Sequence, residues 1–276
     1  MLQHKWLPLV LLAGLAGPMS WAAEPKSLLP QAADPGDVAE AGLFADRPNL
    51  IANGDFEEGE DGPAHWQTID GLSSFWVDDP EGKRGKVLKL DTDVAQKQAY
   101  DWWTRLVKED VTAKAAPSKQ PTVEPKYDTL AGLDGVWFWS DPVEIKKGKQ
   151  YWLTVDVKGP GMKVFMRGYP NPPDTAFGAD EGAFMQHLQK LAGEFRNERG
   201  RKAFIKKYTW DSWMKAGGGD QWQTYSRREK PFAPTKHTPN VKHLRVMLYP
   251  YWPPGVYYID NVRLVEYDAP EVIKSE

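Results

Sequence analysis

The side chains in this chain best placed to do chemistry are aromatic and cationic, and their spacing puts them on strands. Trp137 and Trp139 flank Phe138 and so point to the same side. In residues 151–158, Tyr151, Leu153, Val155 and Val157 share one side, and Trp152, Thr154, Asp156 and Lys158 share the other. Leu244, Val246 and Leu248 alternate with His243, Arg245, Met247 and Tyr249, and Tyr251 follows. Arg167 and Tyr169 lie near the end of another alternating run. Flat rings beside guanidinium groups suit a ligand with apolar C–H faces and a rim of hydroxyls, which describes a sugar. The competing reading is a second core layer, with inserted helices covering these side chains. Trp102, Trp103 and Trp252 fall in loop-like segments and are candidates for a rim.

Catalytic patterns are weak by comparison. Cysteine is absent, and neither a G-x-S-x-G nor a phosphate-binding loop occurs. The five histidines show no paired metal-ligand spacing. His187 and Glu194 can share a helix side, and Glu181 is nearby, but two carboxyls do chemistry on a glycoside only at a controlled separation. Arg167 with Tyr169, and Arg245 with Tyr249, share strand faces, which fits a pocket without specifying a reaction.

The elements that must position these groups are short strands separated by turns. Strands are expected at 49–52, 64–68, 73–77, 86–90, 136–140, 142–145, 151–158, 162–168, 221–228, 241–249 and 255–266. A bulge at Asp260-Asn261 keeps Val262 and Leu264 on the core side. Two stretches break the rhythm, at about 96–134 and about 170–220. The first carries a Pro- and Lys-rich excursion over 113–127. The second carries a helical pattern over 183–197, with Phe184, Leu188, Leu191 and Phe195 in step, and a further helical or mixed piece over 202–213 that Gly217-Gly218-Gly219 ends.

Composition bounds the partners. The 276 residues are 41% hydrophobic and 26% charged with a net charge of −3, so no basic stripe points to nucleic acid. Thirteen Trp and eleven Tyr are a surplus that either fills a core or forms binding platforms. The N-terminus has the layout of a Sec-type signal peptide over 1–22. His4 and Lys5 precede an apolar run over 7–15, and Ser20-Trp21-Ala22 supplies small residues for cleavage. The run is too short to span a bilayer. Without a cysteine after it there is no lipid attachment, and the expected location is secreted or periplasmic. An exported chain without disulfides fits a bacterial source. Residues 23–48 read as an Ala-, Pro- and acid-rich tether with a short helical piece over 38–44, residues 49–268 as the folded domain, and 269–276 as a polar tail.

The order of motifs resembles the carbohydrate-binding modules of the family 4/9/22 type, among the galactose-binding-domain-like jelly rolls. The match is carried by Asn49-Leu50-Ile51-Ala52-Asn53-Gly54-Asp55-Phe56-Glu57, Trp66, Val87-Leu88-Lys89-Leu90, and Pro142-Val143-Glu144-Ile145 with Gly148. It continues through the run 151–159 and Trp222 to Tyr258-Ile259-Asp260-Asn261-Val262-Arg263-Leu264. The two insertions are longer than the pattern. The resemblance implies an all-β fold with helical insertions, an antiparallel jelly-roll β-sandwich. It also implies a structural Ca2+ shared by the opening and closing motifs, for which Asp55, Glu57 and Asp260 are the oxygen donors.

The expected function is an exported, non-catalytic carbohydrate-binding protein. It would hold a polysaccharide or oligosaccharide on a concave face through Trp137, Trp139, Trp152, Arg167, Tyr169, Arg245, Tyr249 and Tyr251. The alternatives are a structural or protein-interaction module of the cell envelope, and a polysaccharide-active enzyme on a jelly-roll scaffold.

Overall fold

The structure is a computed structural model that describes residues 38–39, 44–108, 131, 134–170, 209–227 and 230–267. The signal segment, most of the tether, the excursion over 113–127, the helical pattern over 183–197 (with Glu181, His187 and Glu194) and the tail lie outside the described residues.

Two antiparallel sheets pack face to face as a jelly-roll β-sandwich. The first has the order β1 (Ser74–Asp78), β2 (Lys86–Asp91), β10 (Val256–Tyr267), β5 (Gln150–Gly159) and β8 (Gly219–Ser226). The second has the order β3 (Phe138–Trp139), β9 (His243–Tyr249), β6 (Met162–Tyr169) and β7 (Trp210–Ala216), with β4 (Val143–Glu144) also paired to β9. Period-2 alternation aims one side of each sheet inward. Leu88, Leu153, Val155, Ile259 and Leu264 from the first sheet meet Phe138, Val164, Met166, Val246 and Leu248 from the second, all essentially inaccessible. Among the described residues no helix is long and apolar enough to cross a membrane.

The opening motif is a clasp. The pattern at 49–52 reads as a strand, but the segment is bend and turn. The Asn49 side chain does the pairing there. Its Oδ1 accepts from Leu264 N (2.9 Å) and Ile51 N (3.1 Å), and its Nδ2 donates to Val262 O (3.0 Å). Gly54 O accepts from Val262 N at 2.7 Å, and a Cβ on Gly54 would overlap the Val262 carbonyl. Asn53 holds the turn, donating to Glu58 O and Ala64 O at 2.8 Å each. Phe56 and Trp66 then enter the core with ring centroids 4.8 Å apart. The segment 64–68 forms no strand either, and only Trp66 bridges Ser140. At the closing motif the register shifts between Asp260 and Arg263, and Asn261 takes a φ of 47°, the expected bulge.

Three further expectations change. Val38, expected in a short helical piece, instead bridges Tyr225 and so caps the β8 edge. The end of the tether is therefore docked. Trp210–Ala216 is a strand, overlapping the end of the helical or mixed piece expected over 202–213, whose residues 202–208 lie outside the described ones. Gly217-Gly218-Gly219 carries the chain from β7 in one sheet to β8 in the other, with Gly217 at a φ of 80°. Trp102 is no rim residue. It sits in α1 (Gln96–Lys108), buried, with Nε1 donating to Asp70 O at 3.1 Å.

Candidate functional site

Outward-facing residues of the second sheet form cross-strand rows fixed by register. One row runs Trp139, Met247, Phe165, Trp213, a second runs Tyr249, Lys163, Lys215, and a third runs Arg245, Arg167, Asp211. Tyr169 lies opposite His243, and His243 opposite Glu144. Trp137, two residues before Trp139, extends the same side, held by the hydrogen bond from Val136 N to Pro250 O at 2.9 Å. Trp137 is 57% exposed and Trp213 44%. Lys163, Phe165, Arg167, Tyr249 and Tyr251 are half-buried. Trp139, Tyr169 and Arg245 are buried beneath them.

Ring packing holds this surface flat. Tyr249 and Tyr251 stack with centroids 5.7 Å apart and planes 17° apart, and Phe165 meets Tyr249 edge-on at 5.9 Å. Tyr249 lies against Gly135, where a Cβ would run into its ring, and its hydroxyl donates to Asp134 O at 3.1 Å. Burial pushes the Tyr249 hydroxyl's pKa up, so it stays a neutral donor. Trp139 meets two guanidiniums, with Cζ of Arg245 4.8 Å and Cζ of Arg167 5.4 Å from its centroid. Arg245 is anchored by Nε donating to Ser140 O at 3.1 Å. Lys163 Nζ sits 5.3 Å from the Trp213 centroid and 5.5 Å from that of Tyr251. Cations above ring faces are attracted by the ring quadrupole, more strongly where water is excluded. Burial lowers the pKa of His243, which keeps it neutral near pH 7.

Seven of the eight sequence-derived platform residues therefore share this face. Trp152 does not. It lies on the outer side of the first sheet, where Phe44 and Tyr267 pack on it at 5.6 and 5.4 Å. Alternation separates core from non-core sides, but it does not say which of two sheets a strand joins. Sequence reasoning also missed Trp213, Lys163, Lys215 and Phe165. The signal for Trp213 was present, since Trp210, Ser212, Met214 and Ala216 alternate with Asp211, Trp213 and Lys215.

The expected calcium donors do not converge. Asp55 is exposed. Glu57 lies against Gly85 and accepts from Lys86 N at 3.0 Å. Asp260 Oδ2 accepts from Arg84 Nη1 at 2.8 Å, and the same nitrogen donates to Asp156 Oδ2 at 2.7 Å. Asn261 Nδ2 and Thr224 Oγ1 complete the set around Asp156, at 3.0 and 2.6 Å. No group of three acidic, His or Cys side chains suited to a metal occurs among the described residues. The guanidinium of Arg84, stacked on Trp222 at 4.3 Å, takes the place between two carboxylates that a cation would need. The residues as arranged do not fit a calcium ion. Burial, against the opposing pull of Arg84, pushes Asp260 up to about 6.

No protein-family model matches the chain, and no curated protein does. Among solved structures it is similar to the enzymatically active domain of bacteriophage CBA120 tailspike protein 4, at 8% identity and a TM-score of 0.40. That match covers 79% of this chain and 21% of the tailspike chain. It is similar to TmCBM61 in complex with β-1,4-galactotriose, at 11% identity and a TM-score of 0.38, covering 80% of this chain and 99% of that one. It is also similar to the family 11 carbohydrate-binding module of the cellulosomal cellulase Lic26A-Cel5E of Clostridium thermocellum, at 11% identity and a TM-score of 0.31, covering 82% and 97%.

Proposed function

We propose that this chain is an exported, non-catalytic protein that holds a polysaccharide or oligosaccharide on the outer face of the β3-β9-β6-β7 sheet. The observation that supports this is the exposure of Trp137 and Trp213 at the two edges of one sheet face. Rings that fill a core are buried. These two lie outside a core that is already complete, with Phe165, Tyr249 and Tyr251 between them. Stacking on pyranose C–H faces uses the rings, and Lys163 and Arg167 supply hydrogen-bond donors beside them. The signal-like segment over 1–22 supports export.

The test is affinity electrophoresis across a panel of neutral and acidic polysaccharides. Wild-type protein should be retarded by at least one of them. Trp137→Ala and Trp213→Ala should each weaken that retention about tenfold with thermal stability unchanged, since a ring contact of this kind is worth about 0.5–1.5 kcal/mol beyond its buried area. Absence of retardation on the whole panel by folded protein would sink the proposal. Release of new reducing ends from a retained polymer would overturn its non-catalytic part.

A further inference from the structure

We infer that residues 38–39 and 44–47 are the two ends of a strap that covers the outer edge of β8 and keeps two copies of the chain from pairing there. The inference is independent of the glycan reading, which uses the other sheet.

Three observations carry it. The first is the edge itself. β8 ends the first sheet, and its eight residues exceed the usual strand. Natural edges are blunted by charge, proline, brevity or a cover. β7, an edge of the other sheet, carries Asp211 and Lys215, and β1, at the far edge of this one, has five residues. β8 reads Gly-Asp-Gln-Trp-Gln-Thr-Tyr-Ser, with one charge and no proline. What covers it is the strap. The bridge between Val38 and Tyr225 is antiparallel, and Ala39 N donates to Thr224 O at 2.8 Å. That contact also shows that the edge accepts an antiparallel segment.

The second observation is where the strap is held. Val38 is 61% exposed, so burial at the β8 end contributes little. The grip lies at the other end, over β5 and β10. Phe44 meets Trp152 and Tyr267 edge-on at 5.6 and 6.0 Å. Arg263 Nη2 donates to Phe44 O at 3.3 Å and to Arg47 O at 2.8 Å, and Arg47 Nη1 donates to Glu266 O at 2.8 Å. The third is strain. Phe44 takes a φ of 60°, which a residue with a Cβ rarely adopts, so its ring contacts and Arg263 hold a turn that the backbone alone disfavours. Taking away the ring takes away what offsets the strain, and the strap lifts from β8. The freed edge then meets its own copy across a two-fold axis, where one patch serves both partners and the two strands run antiparallel.

The experiment uses the full chain with two single variants, Phe44→Ala and Ala39→Pro. The second removes the N–H that reaches Thr224 O and leaves the ring contacts in place, so it tests the edge even where Phe44→Ala does not fold. Amide exchange at Ala39, read by NMR, should quicken about tenfold in Phe44→Ala, as expected for losing aromatic contacts of this kind. Light scattering after size exclusion should give a monomer for the wild type and a concentration-dependent dimer for both variants. Adding Gln221→Lys to either variant should restore the monomer, because an edge lysine opposes pairing. Variants that stay monomeric at every concentration would overturn the inference, as would unchanged exchange at Ala39 in folded Phe44→Ala. Dimers that survive Gln221→Lys would place the contact away from β8 and overturn it too. A wild-type dimer that Gln221→Lys splits would mean that the strap guards nothing.

Discussion

Replacing Arg84 with Met tests whether the closing motif is held by an internal ion network. Arg84 Nη1 reaches Asp156 at 2.7 Å and Asp260 at 2.8 Å, and these carboxyl side chains are only 10% and 6% exposed. Methionine keeps an aliphatic stem against Trp222 but removes the charge. Two nearly dry carboxylates then face each other without a counter-ion. Breaking a buried pair in this way costs about 3–5 kcal/mol. The Arg84 side chain is itself 25% exposed, so water replaces part of its role and the lower figure, about 3 kcal/mol, is expected. For a domain of roughly 200 residues that is a fall in Tm of about 6–12 °C. Urea titration at pH 7.5 measures the free energy, and the same titration at pH 5 supplies a second readout. Asp260 titrates at about 6 even with Arg84 present, so at pH 5 the acid is protonated and the loss should shrink by half or more. A loss below about 1 kcal/mol at pH 7.5, or one of equal size at both pH values, would refute the network as described.

Two other perturbations address the same clasp. Burial raises the Asp260 pKa from 3.8 to about 6, so the folded protein binds this proton more tightly than the unfolded chain does. The resulting stabilisation, about 3 kcal/mol at most, is complete below pH 3.8 and is lost as pH rises through 6. Asp260→Asn should therefore gain on wild type between pH 4 and pH 7.5 in urea midpoints, and a difference that stays constant over that range would contradict the assignment. Gly54→Ala should destabilise by about 1–3 kcal/mol, because the new methyl must displace the Val262 carbonyl that closes the clasp. A Tm within a degree of wild type would mean the turn relaxes freely.

The strands were legible wherever one side faces the core and the other does not. Residues 151–158 show this most plainly, with Leu153, Val155 and Val157 inaccessible. The bulge was legible because Val262 and Leu264 can continue the inward side only if one residue is absorbed at Asp260-Asn261. The clasp was not legible as a turn. An apolar run ending in Asn-Gly looks like a strand when the pairing is done by the Asn49 side chain. β7 was hidden by the apolar residues preceding it, which favour a helical period. The ion pair at the closing motif was not legible for a long-range reason: Arg84 is 176 residues from Asp260, and nothing local announces that its guanidinium will lie between two acids. Trp152 failed for a similar reason, since the partner that covers it, Phe44, comes from a stretch whose composition reads as tether.

Exposure of aromatic rings separates the two outer faces of the sandwich. Around the first sheet, cations meet carboxylates or backbone carbonyls, the latter where Arg263 donates to Phe44 O and Arg47 O. Arg84 holds Asp156 and Asp260, Lys158 holds Glu81 at 2.6 Å, and Lys146 and Lys149 share Glu266 at 3.1 and 3.0 Å. Aromatic rings lie there too, but Trp152 is covered by Phe44 and Tyr267, and Trp222 by Arg84. That face is internally satisfied and has little to offer a ligand. Outside the second sheet the arrangement differs. Lys163, Arg167 and Arg245 lie over Trp213, Tyr251 and Trp139, and two tryptophans remain open to solvent. This is the only sheet face where exposed tryptophans occur among the described residues, so its rings are the ones a ligand from outside can reach.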